Sequence, residues 1–152
     1  MASNVATVGA GLVTAINAAT LPQAVTAIYT YEPTQKLPEL STVSADVWPA
    51  GRNRTRFDRD TWLIQQAYSV SVRKRCTGGE LNGDDVSAST MNSWSEFVEA
   101  LEKLQWKGTF SSLYATLEGV EILAPYDLAY LREFSTFAAA LTFNVKWYEQ
   151  IT

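Results

Sequence analysis

The 152-residue chain contains no histidine and a single cysteine, Cys76. The first lack removes the commonest general base near neutral pH and the commonest transition-metal ligand. The second rules out a disulfide within the chain and fits folding in a reducing cytoplasm. No apolar run reaches the ~18 residues that a membrane-spanning helix needs. The first 31 residues carry no charged side chain, yet they have no basic start, and Thr7, Thr14 and Asn17 interrupt their apolar run, so they do not read as a signal peptide. A Walker loop, a GxSxG turn and metal-spaced Cys or His sets are all missing. These lacks point away from an enzyme, and neither a cofactor nor a metal is expected.

What is present suits one domain covering 1–152 with a real hydrophobic core. The composition is 47% hydrophobic, 18% charged and 12% aromatic, enough apolar matter at this length to fold without disulfide or metal staples. Formal net charge is −4, but it is unevenly spread. Residues 51–76 hold seven of the twelve basic side chains (Arg52, Arg54, Arg56, Arg59, Arg73, Lys74, Arg75) and only two acids, Asp58 and Asp60. The remainder is strongly acidic. Such segregation suits head-to-tail contacts between subunits, or a local anion site.

Along the chain, Val5, Val8, Leu12 and Ile16 recur at helical spacing, with Ser3 or Asn4 as the cap. The opposite face carries Thr7, Ala10, Thr14 and Ala18, small and uncharged, and so suited to a neighbouring subunit as well as to water. Gly9-Ala10-Gly11 has the start of a dinucleotide-binding turn but neither the preceding strand nor the third glycine. Pro22 closes this region, and residues 24–31 read as a strand. Residues 32–44, with Pro33 and Pro38, read as a loop, 46–49 as a short strand ending at Pro49, and 51–60 (GRNRTRFDRD) as an exposed charged loop. Asn53-Arg54-Thr55 matches the glycosylation sequon, which a cytoplasmic protein would not use.

Residues 61–73 alternate as a half-buried antiparallel strand, with Trp62, Ile64, Gln66, Tyr68, Val70 and Val72 on one side. Residues 76–85, with Gly78-Gly79 and Asn82-Gly83, read as a loop. A second helix is expected to begin near Thr90 or Ser93, where Ser93-x-x-Glu96 has capping-box spacing; Met91, Trp94, Phe97, Val98, Leu101 and Leu104 form its apolar stripe. A strand over 113–123, a loop or helical turn over 125–134 and a long alternating strand over 136–148 complete the order. The fold class is α+β: a largely antiparallel sheet with long strands, covered by one amphipathic helix, plus an N-terminal helix. Strands of about 13 residues exceed the usual ~5–6 and need partners along their length, and an unpaired hydrophobic edge invites another chain.

Three features were weighed for chemistry. Asp84-Asp85 lies in a glycine-containing loop and has carboxylates for a divalent cation, but a solvated acidic loop is the stronger reading. Asp58 and Asp60 sit among arginines, where local ion pairs explain them. Cys76 follows Arg73-Lys74-Arg75, which favours a thiolate, but no second cysteine or histidine accompanies it. The arginine loop fits phosphate by its guanidinium forks. A nucleic-acid module would add interleaved exposed aromatics, and only Phe57 lies within the loop, so a protein contact is the stronger reading.

The order of these features resembles the tail-terminator, or tail-completion, proteins of long-tailed bacteriophages. The likeness runs from about residue 5 to 149. An N-terminal helix comes first, then Val47-Trp48-Pro49-Ala50, a charged loop, the strand Trp62–Val72, the helix Met91–Leu104, the turn Pro125-Tyr126-Asp127 and the strand Phe137–Trp147. What the resemblance implies is a structural virion protein, assembled in the host cytoplasm. It would form a ring, commonly of six subunits, at the head-proximal end of the tail tube. The ring would stop tube polymerisation and give the head or its connector a docking surface. Its partners would be itself, the tail tube protein and a connector or head-completion protein, with DNA passing through the lumen without specific binding and no membrane involved. No catalytic residues carry over. The interface is expected at the charged loop (Arg52, Arg54, Arg56, Arg59) and the helix face Thr7, Ala10, Thr14, with 32–44 or 77–86 toward the connector. Two alternatives stand: another neck or head-completion protein, and a nucleic-acid-binding module using the loop 51–60. A carboxylate hydrolase lacks a candidate pair of acids.

Overall fold

A computed structural model describes residues 3–30, 42–76, 81–82, 85–110, 113–127, 131 and 136–150. Helix α1 spans Asn4–Ala18 and α2 spans Ala88–Glu102. The strands are β1 (Val25–Tyr29), β2 (Val43–Arg56), β3 (Thr61–Arg75), β4 (Leu81–Asn82), β5 (Asp85–Val86), β6 (Lys107–Phe110), β7 (Leu113–Ala124) and β8 (Thr136–Gln150). The chain is mixed α+β. Six strands form one sheet in the order β1-β2-β3-β8-β7-β6, and β4 pairs with β5 in a two-stranded ribbon. Every pairing is antiparallel except β1 with β2, which is parallel.

Period-two alternation sets which face is buried. Ile64, Gln66, Tyr68, Val70 and Val72 of β3 are buried, as are Phe137, Ala139, Leu141, Phe143, Val145 and Trp147 of β8. Tyr68 stands opposite Phe143 and Val70 opposite Leu141, so the two sets share one face. Both helices lie on that face. The Tyr68 hydroxyl donates to the Val5 carbonyl of α1 at 2.7 Å. The Trp94 ring of α2 stacks on Phe137 at 4.9 Å and 10°. Val8, Leu12 and Ile16 join Trp94, Phe97, Val98 and Leu101 in the same apolar cluster as the sheet residues.

The helices begin where serine satisfies a free amide. Ser3 accepts from Ala6 N–H at 3.1 Å. In α2 the cap is Ser87, accepting from Thr90 N–H at 3.2 Å, and not Ser93, which lies inside the helix. The first turn of α2 is polar, so apolar spacing detects the helix only from Met91 onward. Gly9 lies within α1 against the Tyr29 ring, where an added Cβ would overlap ring carbons. Gly9-Ala10-Gly11 is therefore a helix interior and not a phosphate turn.

The largest correction concerns residues 46–60. They are not a short strand followed by a loop: β2 runs unbroken for 14 residues through Pro49 to Arg56, and only 57–60 turn. Proline is tolerated because β1 pairs with β2 only as far as Val47, and because the ladder to β3 shifts register between Pro49 and Arg52. Strand β6 has only four residues and no alternation to betray it. Asn82 and Asp85, read as loop, pair with each other in the β4–β5 ribbon. Of the expected loop 32–44, Val43 and Ser44 belong to β2; its residues 32–41, with Tyr31, Gly78-Gly79, Gly83-Asp84 and most of 128–134, lie outside the described residues.

Candidate functional site

Beyond the register shift, Arg52–Arg56 of β2 pair with Trp62–Gln66 of β3, and Trp62 stands opposite Glu149 of β8. This three-stranded extension, here called the arm, carries the arginines. Arg52, Arg54 and Arg56 occupy alternate positions, hence one face, spaced by about 7 Å per pair of residues. It is the helix-bearing face, because Arg54 stands opposite buried Ile64 and Arg56 opposite Trp62. The Arg54 guanidinium lies 4.5 Å from the Trp62 ring centroid and that of Arg56 5.8 Å, both cation–π contacts.

Arg56 also holds the tip. Its Nε donates to Asp58 O at 3.3 Å and its Nη2 to Arg59 O at 2.9 Å. Phe57 N–H and Asp58 N–H donate to Thr61 O, and the Asp58 carboxylate accepts from Asp60 N–H at 2.8 Å. Among the described residues, neither Asp58 nor Asp60 forms an ion pair with the neighbouring arginines; Asp58 shapes the turn instead. Arg59 lies exposed within that turn. On the other face of the arm, Phe57 (59% exposed) meets Tyr148 (43% exposed) edge to face at 4.8 Å.

Glu149 ties the arm to α1. It accepts from Trp147 Nε1 and from Asn4 Nδ2, each at 2.8 Å, and Arg52 Nη2 is 4.0 Å away. Partial burial pushes its carboxyl upward. The two hydrogen bonds and the nearby Arg52 and Arg54 charges outweigh that and hold it below its ordinary value. Next to it, burial among Tyr29 and the α1 backbone pushes the Tyr68 phenol well above its ordinary value, so Tyr68 stays a neutral donor.

The second expected patch is placed differently. Ala10 and Thr14 are exposed and Thr7 is half-buried, with the Thr14 hydroxyl donating to Ala10 O at 3.1 Å. Asn4 and Val5 adjoin the arm, but Thr14 lies ten residues further along α1, about 15 Å at helical rise. The structure thus groups Arg52, Arg54, Arg56 and Arg59 on one arm and leaves Thr7, Ala10 and Thr14 as a separate surface. Sequence reasoning did not assign Trp62, Tyr148, Glu149 or Asn4 to this site. Alternation puts Trp62 on the same side as Ile64 and Tyr68, and the structure packs it, half-buried, against the core with Arg54 and Arg56 over its ring.

At the opposite margin of the sheet, a groove of about 650 Å³ runs between the end of α2 and β7, lined by Glu102, Leu104, Trp106, Leu117, Glu118 and Val120 among others. A second cleft, of about 580 Å³, is lined by Arg52, Gln65, Asn144 and Glu118 among others. The Asp46 carboxylate is buried and pairs with Arg73 at 3.0 Å. Among the described residues, no three His, Cys, Asp or Glu side chains gather as a metal would need. No described helix is long and apolar enough to cross a membrane. No protein-family model matches the chain, and no curated protein matches it either.

Proposed function

We propose that the chain is a structural protein of a long-tailed phage virion, a tail terminator that rings the head-proximal end of the tail tube, and not an enzyme. The single observation that supports this reading best is the open margin of the sheet. From Trp48 to Arg56, strand β2 has no strand partner on its outer side among the described residues, while its inner side pairs with β3 on both sides of the register shift between Pro49 and Arg52. A long open margin bearing arginines is a surface that assembly completes. In this reading α2 is the amphipathic helix that covers the sheet, and α1 is the N-terminal helix whose face Thr7, Ala10, Thr14 meets a neighbour. Arg52, Arg54, Arg56 and Arg59 contact a neighbouring subunit or the tube. DNA passes the lumen without specific binding, and a connector or head-completion protein docks on the other ring face. A head-completion or other neck protein of similar build is the nearest alternative.

The arm also favours a second reading. Half-buried Trp62 lies under Arg54 and Arg56, the exposed pair Phe57 and Tyr148 occupies the other face of the same arm, and basic strands with aromatics bind single-stranded nucleic acid. Solution mass by light scattering, with and without purified tail tubes, separates the two. A closed ring, or binding at only one tube end, is expected. A monomer that ignores tubes but retains DNA at low salt overturns the terminator reading. The triple substitution Arg52→Ala/Arg54→Ala/Arg56→Ala is expected to abolish ring or tube binding while the fold persists.

A further inference from the structure

We propose that the open outer side of β2 over Arg52–Arg56 takes up, as an added strand, an extended segment of another protein that carries acidic residues at alternate positions. The inference rests on the reading of that margin as a contact surface and names the chemistry that completes it.

The hydrogen-bond phase of β2 decides which backbone groups are free. Phe57 N–H donates to Thr61 O at 3.0 Å, which makes Phe57 and Thr61 a hydrogen-bonded pair. Along an antiparallel ladder such pairs alternate with pairs whose N–H and C=O groups point away from the partner strand. The register runs without a shift from Arg56 opposite Trp62 to Arg52 opposite Gln66. Thr55 and Asn53 therefore bond to β3. Arg52, Arg54 and Arg56 turn their N–H and C=O groups to the outer side, where no strand lies among the described residues. Every residue from Ala50 to Arg56 is exposed, as an incoming strand requires.

Charge and period select the occupant. Among the described residues, neither Arg54 nor Arg56 has a carboxylate within ion-pair distance, and Arg52 has only Glu149 at 4.0 Å. The Trp62 ring holds the Arg54 and Arg56 guanidiniums in place. A strand added beside them repeats, as β2 does, every two residues, about 7 Å. Acids at every second residue of that strand each stand across from one arginine, on the same face, where opposite charges attract. The guanidinium fork accommodates a carboxylate through two parallel hydrogen bonds. This chain has no such strand to offer a copy of itself. Asp58 and Asp60 are its only acids two residues apart, and they lie in the turn between β2 and β3. The partner is therefore a different protein. A nucleic-acid strand fits the margin less well. Phosphates cannot donate to the free C=O groups. The exposed rings of Phe57 and Tyr148 lie on the other face of the arm, so phosphates on the arginines and bases on those rings fall on opposite sides.

Three labelled peptides test the proposal on the full chain by fluorescence anisotropy. The first alternates glutamate with threonine. The second has the same composition with its glutamates in one block. The third repeats the first with N-methylated backbone amides. Wild type is expected to bind the first, and the other two about tenfold or more weakly, since each forfeits aligned pairs or backbone hydrogen bonds. The variant Arg54→Ala/Arg56→Ala, its fold checked by melting temperature, is expected to bind the first peptide about tenfold or more weakly than wild type does. Equal binding of the first two peptides, or indifference to N-methylation, leaves only non-specific charge attraction and overturns the proposal. Failure of the first peptide to bind overturns it too, and the arginines then only guard an open edge. A thymidine oligonucleotide that binds wild type more tightly than the first peptide, and is lost from the variant, assigns the arm to nucleic acid and overturns it as well. Light scattering with tail tubes keeps the two readings apart. Rings or tube-end binding alongside failed peptides overturn strand addition alone. Peptide binding by a chain that neither rings nor meets tubes overturns the terminator reading alone.

Discussion

Strand β2 behaves oppositely at its two ends, while β3 beside it alternates in burial along its length. Over Val43–Val47, β2 is buried at every residue; over Ala50–Arg56 it is exposed at every residue. The buried end has β1 beside it and α1 beyond. There Asn17 donates to Ala27 O at 3.1 Å and accepts from Ala27 N–H at 2.8 Å, so a helix side chain closes the open side of β1. The exposed end has only β3. Nothing in the local sequence of β3 marks the change, for its alternation continues from one end to the other. What differs is the flank of β2: β1 lies beside it as far as Val47, and from Trp48 onward its outer side has no strand partner among the described residues, while Ile64 and Trp147 of the inner strands stay buried. Past Pro49, β2 pairs with β3 from Arg52 to Arg56 and carries its arginines exposed over Trp62.

Substitutions should therefore divide sharply between the halves. The largest effect is expected at Trp94, fully buried, stacked on Phe137 and donating from Nε1 to Pro125 O at 2.8 Å. Trp94→Ala should cost about 3–5 kcal/mol in urea unfolding through the cavity it leaves. Gly9→Ala should come next. Alanine is the better helix former, but its Cβ meets the Tyr29 ring, which itself packs edge to face on Tyr68 at 6.5 Å. Overpacking of this kind costs about 1–3 kcal/mol, so the sign of the measured change decides between propensity and packing. In the arm, Arg52→Ala/Arg54→Ala/Arg56→Ala should alter unfolding far less, with each exposed site contributing within about 0.5 kcal/mol. If that triple variant loses as much stability as Trp94→Ala, the arm is part of the fold's core and the division fails.

Much of the buried half was legible in the sequence. The stripes of β3 and β8, the core face of α1 and that of α2 follow directly from period and burial. The arm was not. Pro49 and the run Gly51–Asp60 carry the residues that usually punctuate loops, and local chemistry said turn. Pairing overrode it, because β3 continues to Thr61 and β8 to Gln150, and a third strand beside them satisfies the ladder. The arginines stand out in the sequence as a group on an exposed charged loop, whereas Arg52, Arg54 and Arg56 form a one-faced row on a strand and Arg59 lies in the turn beyond it. Their platform, Trp62, lies on the face that alternation gives it and packs there against the core, but alternation does not show that arginines cover it. Glu149 and Asn4 are 145 residues apart, and no pattern in one sequence joins them.

The smallest expected effect separates the two halves by pH. The Glu149 carboxyl lies below its ordinary value of 4.5, so the folded chain holds its charged form more favourably than the unfolded chain does. Its contribution to stability is accordingly complete above the ordinary carboxylate range and is lost as pH falls through the depressed value. Glu149→Gln keeps an acceptor for Trp147 and Asn4 and removes only the charge facing Arg52 and Arg54. Melting temperatures measured from neutral pH downward should show the variant slightly less stable than wild type at neutral pH, and the two curves should converge as the wild-type carboxylate takes up its proton. Parallel curves would mean that the arginines gain nothing from Glu149, leaving the arm's whole positive face to whatever binds it. Convergence would mean that one carboxylate already holds the arm in place on α1, leaving Arg54 and Arg56 as the charges an incoming partner must satisfy.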